Sequence, residues 1–213
     1  MTKSIPEIIQ EYLAKGDATG WFEELYSRAD KNNTTPPWAG MEADSYFVKW
    51  AEKNSLKGDN RTAIVIGCGL GDDGEYLSEL GFKVTAFDVS STAIEICKKR
   101  FPDSSVSYQQ ADLFQVPQVW HDGFDFVFEN RTIQALPIEM EQQSKQAVAN
   151  LVADNGQLLI LCHGREPHEA KQSIPWALSH EDLSFFIEQG MTEKTFEEYN
   201  DGRFRRFLAL YQK

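Results

Sequence analysis

The sequence predicts an α/β protein built on one mainly parallel, doubly wound sheet, closed by an antiparallel hairpin. Short apolar or β-branched runs recur along the chain, and stretches with helical spacing separate most of them. Strands that are apolar throughout are buried on both faces, which is the mark of parallel sheets with helices above and below. The first run also breaks into glycines at alternate positions just before a helix, and Asn200-Asp201-Gly202 near the end is a strong hairpin turn.

About sixty residues precede the first strand. Ile5 to Leu13 places Ile5, Ile8, Ile9, Tyr12 and Leu13 on one helical face, and Trp21 to Tyr26 is a second short helix. Lys31 to Pro37 is a polar and proline loop, and Ala43 to Lys53 carries Tyr46, Phe47 and Trp50 on one face. This segment is too short and too aromatic to stand alone. Residues 1–58 therefore read as a helical lid, and 59–213 as the α/β core of the same single domain, 1–213.

Within the core, strand 62–66 leads into helix 72–80, and strand Lys83–Phe87 into helix Ser91–Phe101, which Pro102 ends. Val106–Gln110 is the third strand and Gly123–Glu129 the fourth. A helix is expected over Ile138–Val152, ended by Asn155-Gly156, then a fifth strand over Leu158–Cys162. Ser179–Gln189 is a further helix, with Ser179 and Asp182 as a capping pair. Met191–Tyr199 and Arg203–Tyr211 form the closing hairpin, making seven strands in all.

The glycine turn carries the chemistry. Gly67-Cys68-Gly69-Leu70-Gly71 follows Ala63–Ile66, so the backbone can turn sharply and a ligand can approach it without meeting a Cβ. The helix behind it offers unpaired N–H groups. Gly69 to Gly74 also fits the dinucleotide pattern G-x-G-x-x-G. Phasing opposes that reading: the strand closes at Gly67, and counted from there the third glycine falls on Asp72. Asp72-Asp73 would repel a pyrophosphate at the helix N-terminus and would suit a positively charged cofactor. A bland alternative is that the glycines only make the turn and the aspartates cap the helix. The strand-G-x-G-x-G pattern resembles motif I of the S-adenosylmethionine (SAM)-dependent methyltransferases, whose cofactor is a sulfonium. That resemblance implies the Rossmann-like class I methyltransferase fold, with S-adenosylhomocysteine (SAH) as product.

Two further acids follow in order. Asp88 ends the second strand, where a carboxylate can accept both hydroxyls of a ribose. Ala111-Asp112-Leu113-Phe114 follows the third, where an acid can bond an adenine amino group beside an apolar and an aromatic residue. By the same resemblance Cys68, Asp73, Val89, Leu113 and Glu129 join Gly67, Gly69, Asp88 and Asp112 around the cofactor.

Several segments narrow the resemblance. Trp21-Phe-Glu-Glu-Leu-Tyr26 and Thr35-Pro-Pro-Trp38 look like the N-terminal signature of the thiopurine methyltransferase family and its thiol and halide methyltransferase relatives. Gly67-Cys-Gly69-Leu-Gly71-Asp-Asp73, Asp112-Leu-Phe114, Asn130-Arg131 to Pro137, and Ile174-Pro175-Trp176 to Ser179 are similar to later motifs of that family, over roughly residues 20 to 211. Asn130 replaces the usual acid before Arg131, and Ser173-Ile174-Pro175 replaces a double proline. The resemblance implies that Trp21 and Trp38 cover the cofactor, that Trp176 is another lid aromatic, and that Arg131 and Trp38 act at the reaction site. A tryptophan face attracts a sulfonium by about 0.5–2 kcal/mol. A guanidinium at Arg131 can hold an acceptor's carboxylate. A structural ion pair to Glu129 or a neighbouring loop is equally open, whereas Trp50 and Trp120 read as core.

No Ser/His/Asp or Cys/His set is visible. A thiol ionises near neutral pH and needs no dedicated base, so the acceptor implied is a small soft nucleophile: a thiol, thiopurine, halide, or selenium or tellurium species. O- or N-methylation would call for a base, for which His163 is the nearby candidate, and Arg165 could neutralise an anion. A non-catalytic SAM-binding regulator or scaffold is the rival class.

Composition bounds the partners. The 213 residues carry a formal net charge of -12, which disfavours nucleic acid and anionic membrane. Cys68, Cys97 and Cys162 are odd in number and set in apolar surroundings, as expected of reduced thiols in a cytoplasmic protein. His121, His168 and His180 make no ligand grouping, so no metal is expected. The N-terminus shows no signal-peptide apolar region. A monomer or weak dimer acting on a small molecule is the expectation.

Overall fold

A computed structural model describes residues 3–172, 174–202 and 204–213. Ser173, one of the departures noted above, and Arg203, the expected first residue of the last strand, lie outside the described residues, as do Met1 and Thr2.

The strands are β1 (Thr62–Ile66), β2 (Lys83–Asp88), β3 (Ser107–Gln110), β4 (Phe124–Asn130), β5 (Val152–His163), β6 (Thr192–Asn200) and β7 (Arg205–Gln212). They form one sheet in the order β3-β2-β1-β4-β5-β7-β6. The first five run parallel, and β7 enters antiparallel between β5 and β6. Strand order reverses between β1 and β4, which opens a crevice beyond their carboxyl ends. Gly67 and Asn130 stand at that crevice.

Residues of alternate parity feed two cores. Ile64, Ile66, Val127, Leu158 and Ile160 face one side with Ile133 and Val148. Ala63, Val65, Phe126, Phe128 and Leu159 face the other with Phe47, Trp50, Leu77 and Ile94. The helices are α1 (Ile5–Ala14), α2 (Gly20–Lys31), α3 (Ser45–Lys53), α4 (Asp72–Glu79), α5 (Ser91–Arg100), α6 (Thr132–Ala135), α7 (Glu141–Ala149), α8 (His180–Leu183) and α9 (Phe185–Glu188). The sheet and the N-terminal helices are as expected.

Two expected helices differ. The one predicted over Ile138–Val152 is a 3-10 turn, Ile138–Met140, followed by α7. Val152 is already in β5, paired with Phe124, so β5 is longer than expected and contains Asn155-Gly156, with an irregularity in its pairing to β4. The helix predicted over Ser179–Gln189 is broken at Ser184 into α8 and α9. Ser184 Oγ donates to Glu181 O at 2.7 Å, a local bond that competes with regular helix. The Ser179–Asp182 capping box is present.

The N-terminal segment is tied to the core through α2 and through α3, whose Lys53 pairs with Glu197 of β6 at 3.0 Å. Glu23 of α2 accepts from Ser90 Oγ at 2.7 Å and Thr92 N at 3.1 Å, and also from Thr92 Oγ1, at the start of α5. Ile8, Ile9, Trp21 and Leu25 form a small core of their own.

Candidate cofactor and acceptor site

The turn after β1 is held from three sides. Gly67 has φ +59°, and a Cβ there would stand 2.4 Å from Thr132 Oγ1. That hydroxyl donates to Ile66 O at 3.0 Å, so Thr132 closes over the turn. Gly71 has φ +94°, and a Cβ there would meet the Tyr108 hydroxyl at 2.6 Å. Cys68 N donates to Phe87 O at 2.8 Å, and Gly69 N to Asp88 Oδ2 at 3.0 Å. The other Asp88 oxygen accepts from Ser90 N at 2.9 Å. Asp88 is thus fixed by two backbone donors and retains lone pairs toward the crevice. Burial pushes its carboxyl up to about 6, against the pull of those donors.

Two cavities meet over this turn. An apolar one of about 390 Å³ is walled by Trp21, Trp38, Asp88, Val89, Asp112, Leu113, Arg131 and His163, and by the apolar residues Ile5, Ile9, Leu136, Ile174 and Pro175. A polar one of about 290 Å³ is walled by Cys68, Gly69, Asp73, Asp44 and the segment 38–45. Tyr26, Trp38, Gly67, Asn130 and Arg131 belong to both.

A ring of polar contacts lines the polar cavity. Asp44 N donates to Asp73 Oδ1 at 2.8 Å, Asn130 Nδ2 to Asp73 Oδ2 at 3.0 Å, and Arg131 Nε to Asn130 Oδ1 at 2.8 Å. Arg131 Nη2 closes it on Asp44 Oδ2 at 2.9 Å. Burial pushes Asp73 up to about 6. Asp72 is held by Arg100 through two bonds of 2.6 and 2.8 Å, so Asp73 is the acid of the pair without a guanidinium partner of its own.

Three sequence expectations change. Arg131 does not pair with Glu129: Asn130 Oδ1 takes its Nε, and its ion pair is to Asp44, in the loop before α3. Trp176 is 3% exposed, its Nε1 donates to Leu136 O at 2.7 Å, and it packs in the core rather than over the cofactor. Arg165 gives its guanidinium to four backbone carbonyls and to Asp182, which leaves it structural.

Glu129 is not brought to either cavity wall. It is fully buried, and its Oε1 accepts from Thr132 N at 2.6 Å and Ile133 N at 3.0 Å. Burial pushes it up to about 7. Its place is behind the site, shaping the turn that carries Arg131 at φ +65°. Asp112 Oδ1 accepts from Phe114 N at 2.9 Å, which braces the short turn at Leu113.

Trp21 is 3% exposed and edge-on to Trp38 at 6.2 Å. Trp38 is 40% exposed, and its Nε1 donates to Tyr26 Oη at 3.2 Å. Tyr26, Glu23, Asp44 and Thr132 were missed in the sequence. The spacing from Phe22 to Tyr26, one helical turn, was the signal for Tyr26; none marked Glu23 or Asp44. No cluster of metal-ligating residues occurs among the described residues, and no helix among them is long and apolar enough to cross a membrane.

Comparisons with known proteins agree with this geometry. Residues 63–156, from β1 into β5, match the family model for a methyltransferase domain. Comparison with curated proteins finds no match. Among solved structures, one described as converting a disulfide bond into a thioacetal group during echinomycin biosynthesis superposes with a TM-score of 0.73 at 19% identity, over 92% of each chain. A SAM-dependent methyltransferase from Anabaena variabilis gives 0.71 at 20% identity, over 90% of this chain and 93% of that one. Magnesium protoporphyrin IX methyltransferase from Synechocystis, with bound SAH, gives 0.64 at 14% identity, over 79% and 80%. The fold is that of the SAM-dependent methyltransferases.

Proposed function

We propose that the protein is a SAM-dependent methyltransferase acting on a small soft nucleophile, of the thiol, thiopurine, halide or selenium and tellurium class. The observation that carries the reading is the junction of an apolar and a polar cavity over Gly67, with Asp88 on one side and Asp73 on the other. Asp88 would hold the ribose hydroxyls and Asp112 with Leu113 the adenine; Asp73 and Gly69 would face the amino-acid end. When bound, SAM supplies an electrophilic methyl on a sulfonium, already a good leaving group.

The chain's own work is then to align and to dry the site, and alignment alone contributes roughly 7–11 kcal/mol. Trp38, Trp21 and Tyr26 would exclude water, while Arg131 at the junction would orient the acceptor. A neighbour whose description concerns sulfur chemistry, disulfide to thioacetal, is in keeping with a soft acceptor.

Release of SAH is the test. A panel of neutral and anionic thiols, thiopurines, iodide, selenite and tellurite, with phenols and amines as hard acceptors, should give turnover on the soft members. SAH binding by calorimetry without turnover on any acceptor would favour a SAM-binding scaffold instead.

A further inference from the structure

We infer that the acceptor enters un-ionised at its reacting atom and gives its proton to His163, with Gln134 as the residue that positions the imidazole; this rests on the methyltransferase reading above. His163 ends β5, next to the end of β4 in the sheet, and lines the apolar cavity. Its imidazole makes no hydrogen bond among the described residues, so it is not the backbone-bonded loop histidine that the sequence allows. Its main chain, by contrast, is clamped. Gln134 Oε1 accepts from His163 N at 2.7 Å, and Gln134 Nε2 donates to His163 O at 2.9 Å and to Trp176 O at 2.7 Å. Leu178 N also donates to His163 O at 2.9 Å, and Trp176 N to Gln134 O at 3.1 Å.

Gln134 is itself fully buried. One amide therefore ties together the three walls of the cavity extension: α6, the end of β5 and the 174–178 segment. A buried amide with each of its groups bonded costs little, whereas deleting it strands several partners. Those bonds fix the main chain from which the ring projects, and the ring itself lies 5.0 Å from that of Phe204.

The cavity chemistry points the same way. Ile5, Ile9, Leu136, Ile174 and Pro175 share its walls with His163. An ionised acceptor atom is costly to bring among such side chains, and a neutral one is not. Arg131 does not offset that cost freely, since Asp44 and Asn130 already take two of its groups. A neutral X–H acceptor then needs a place for its proton.

His163 supplies it. The charged groups that act on the ring are Arg131 beyond β4, Arg206 on β7, Asp44 before α3 and Asp201 in the closing turn. Burial first, then the two arginines, lowers the imidazole to about 4, so it stands unprotonated at neutral pH. In the step itself the acceptor's lone pair forms the bond to the methyl carbon. The carbon–sulfonium bond breaks with its electron pair left on sulfur. The proton on the acceptor atom, which becomes strongly acidic only as the new bond forms, passes to the free imidazole nitrogen and from there to water.

The test compares wild type with His163→Gln on a neutral monothiol, whose own pKa lies near ~8.5, from pH 6.5 to 10. At pH 7 the variant should be slower by about 10²-fold, and the gap should shrink below about threefold at pH 10, where the thiolate has no proton to give. A gap of equal size at every pH, or none at any, would overturn the inference. A second readout needs no turnover: with ¹⁵N-labelled histidine, the His163 resonances should report a neutral ring at pH 7 that shifts on adding the thiol and not on adding iodide. A protonated ring, or one unmoved by the thiol, would overturn it too. Gln134→Met should lower kcat about tenfold with KM and SAH affinity unchanged; an equal loss of SAH affinity would make Gln134 a packing residue. Wild-type turnover of thiolate at high pH keeps the methyltransferase reading whatever His163 does, and absence of turnover at every pH would remove both.

Discussion

Mild acidification should strengthen the folded state while weakening cofactor binding. Glu129 is fully buried and Asp88 nearly so, and burial pushes them up to about 7 and about 6. Between those values and the ordinary carboxylate range, the native protein binds protons that the unfolded chain releases. Native-state protonation lowers the native free energy, so stability rises as pH falls. From pH 8 to pH 5 the gain is about 2.5 kcal/mol from Glu129 and about 1.4 kcal/mol each from Asp88 and Asp73, set against a loss of up to about 2 kcal/mol from His163, whose imidazole, lowered by burial, stays neutral while the unfolded chain's takes up a proton. Carboxylates held low, such as Glu23 and Asp182 by their hydrogen bonds, reverse the trend only below the ordinary range. Binding runs the other way, because a protonated Asp88 is a poorer acceptor for ribose hydroxyls. With a value of about 6, the Kd for SAH should rise about fourfold between pH 7.5 and pH 5.5. Urea unfolding at pH 8 and pH 5 tests the first part, and calorimetry with SAH the second. Glu129→Gln should remove about 2.5 kcal/mol of the stability gain and leave the change in Kd. A lower unfolding midpoint at pH 5 together with a flat Kd would refute the reasoning.

Other substitutions give further tests. Asp88→Ala should cost roughly 1.5–3 kcal/mol of SAH affinity per ribose hydrogen bond lost; unchanged affinity by calorimetry would remove Asp88 from the cofactor site. Gly67→Ala combines a left-handed φ with a collision at Thr132, so SAH binding should fall below detection; retained binding would show that the turn yields easily. Arg131→Ala should raise KM for anionic thiols and spare neutral ones, and equal loss on both with normal SAH binding would make its ion pair to Asp44 structural. Bound SAH should slow amide exchange over Trp21 to Trp38, and equal exchange with and without it would describe a rigid cap.

What the sequence made legible depends on local backbone. The glycine turn, Asp88 and Asp112 could be placed because a strand end and the residue after it fix their own geometry. Side-chain direction at a strand end is harder. Glu129 and Asn130 are neighbours, yet the pleat sends Glu129 behind the turn with Val127 and Ile133, while Asn130 reaches the cavities. Trp176 was misread for a related reason, since its partner Leu136 is distant in sequence, and Arg165 because its own loop folds back so that the carbonyls of Glu166, Pro167 and Glu169 take its guanidinium. The boundary at Val152 escaped because Val148, Leu151 and Val152 fit a helical face as well as a strand, and pairing with Phe124 decides between them. Asp44 and Gln134 carry no local signature at all; only the folded chain brings them to Arg131 and His163.

The attachment of α2 through Glu23 has a kinetic side. The hydroxyl it grips belongs to Ser90, whose amide also bonds Asp88. If α2 covers a nucleoside held at Asp88, door and seat share the five-residue stretch 88–92, and motion of one would disturb the other. A spent product seated there would hold its own exit shut. Loosening Glu23 should then speed the departure of SAH while leaving methyl transfer itself unchanged.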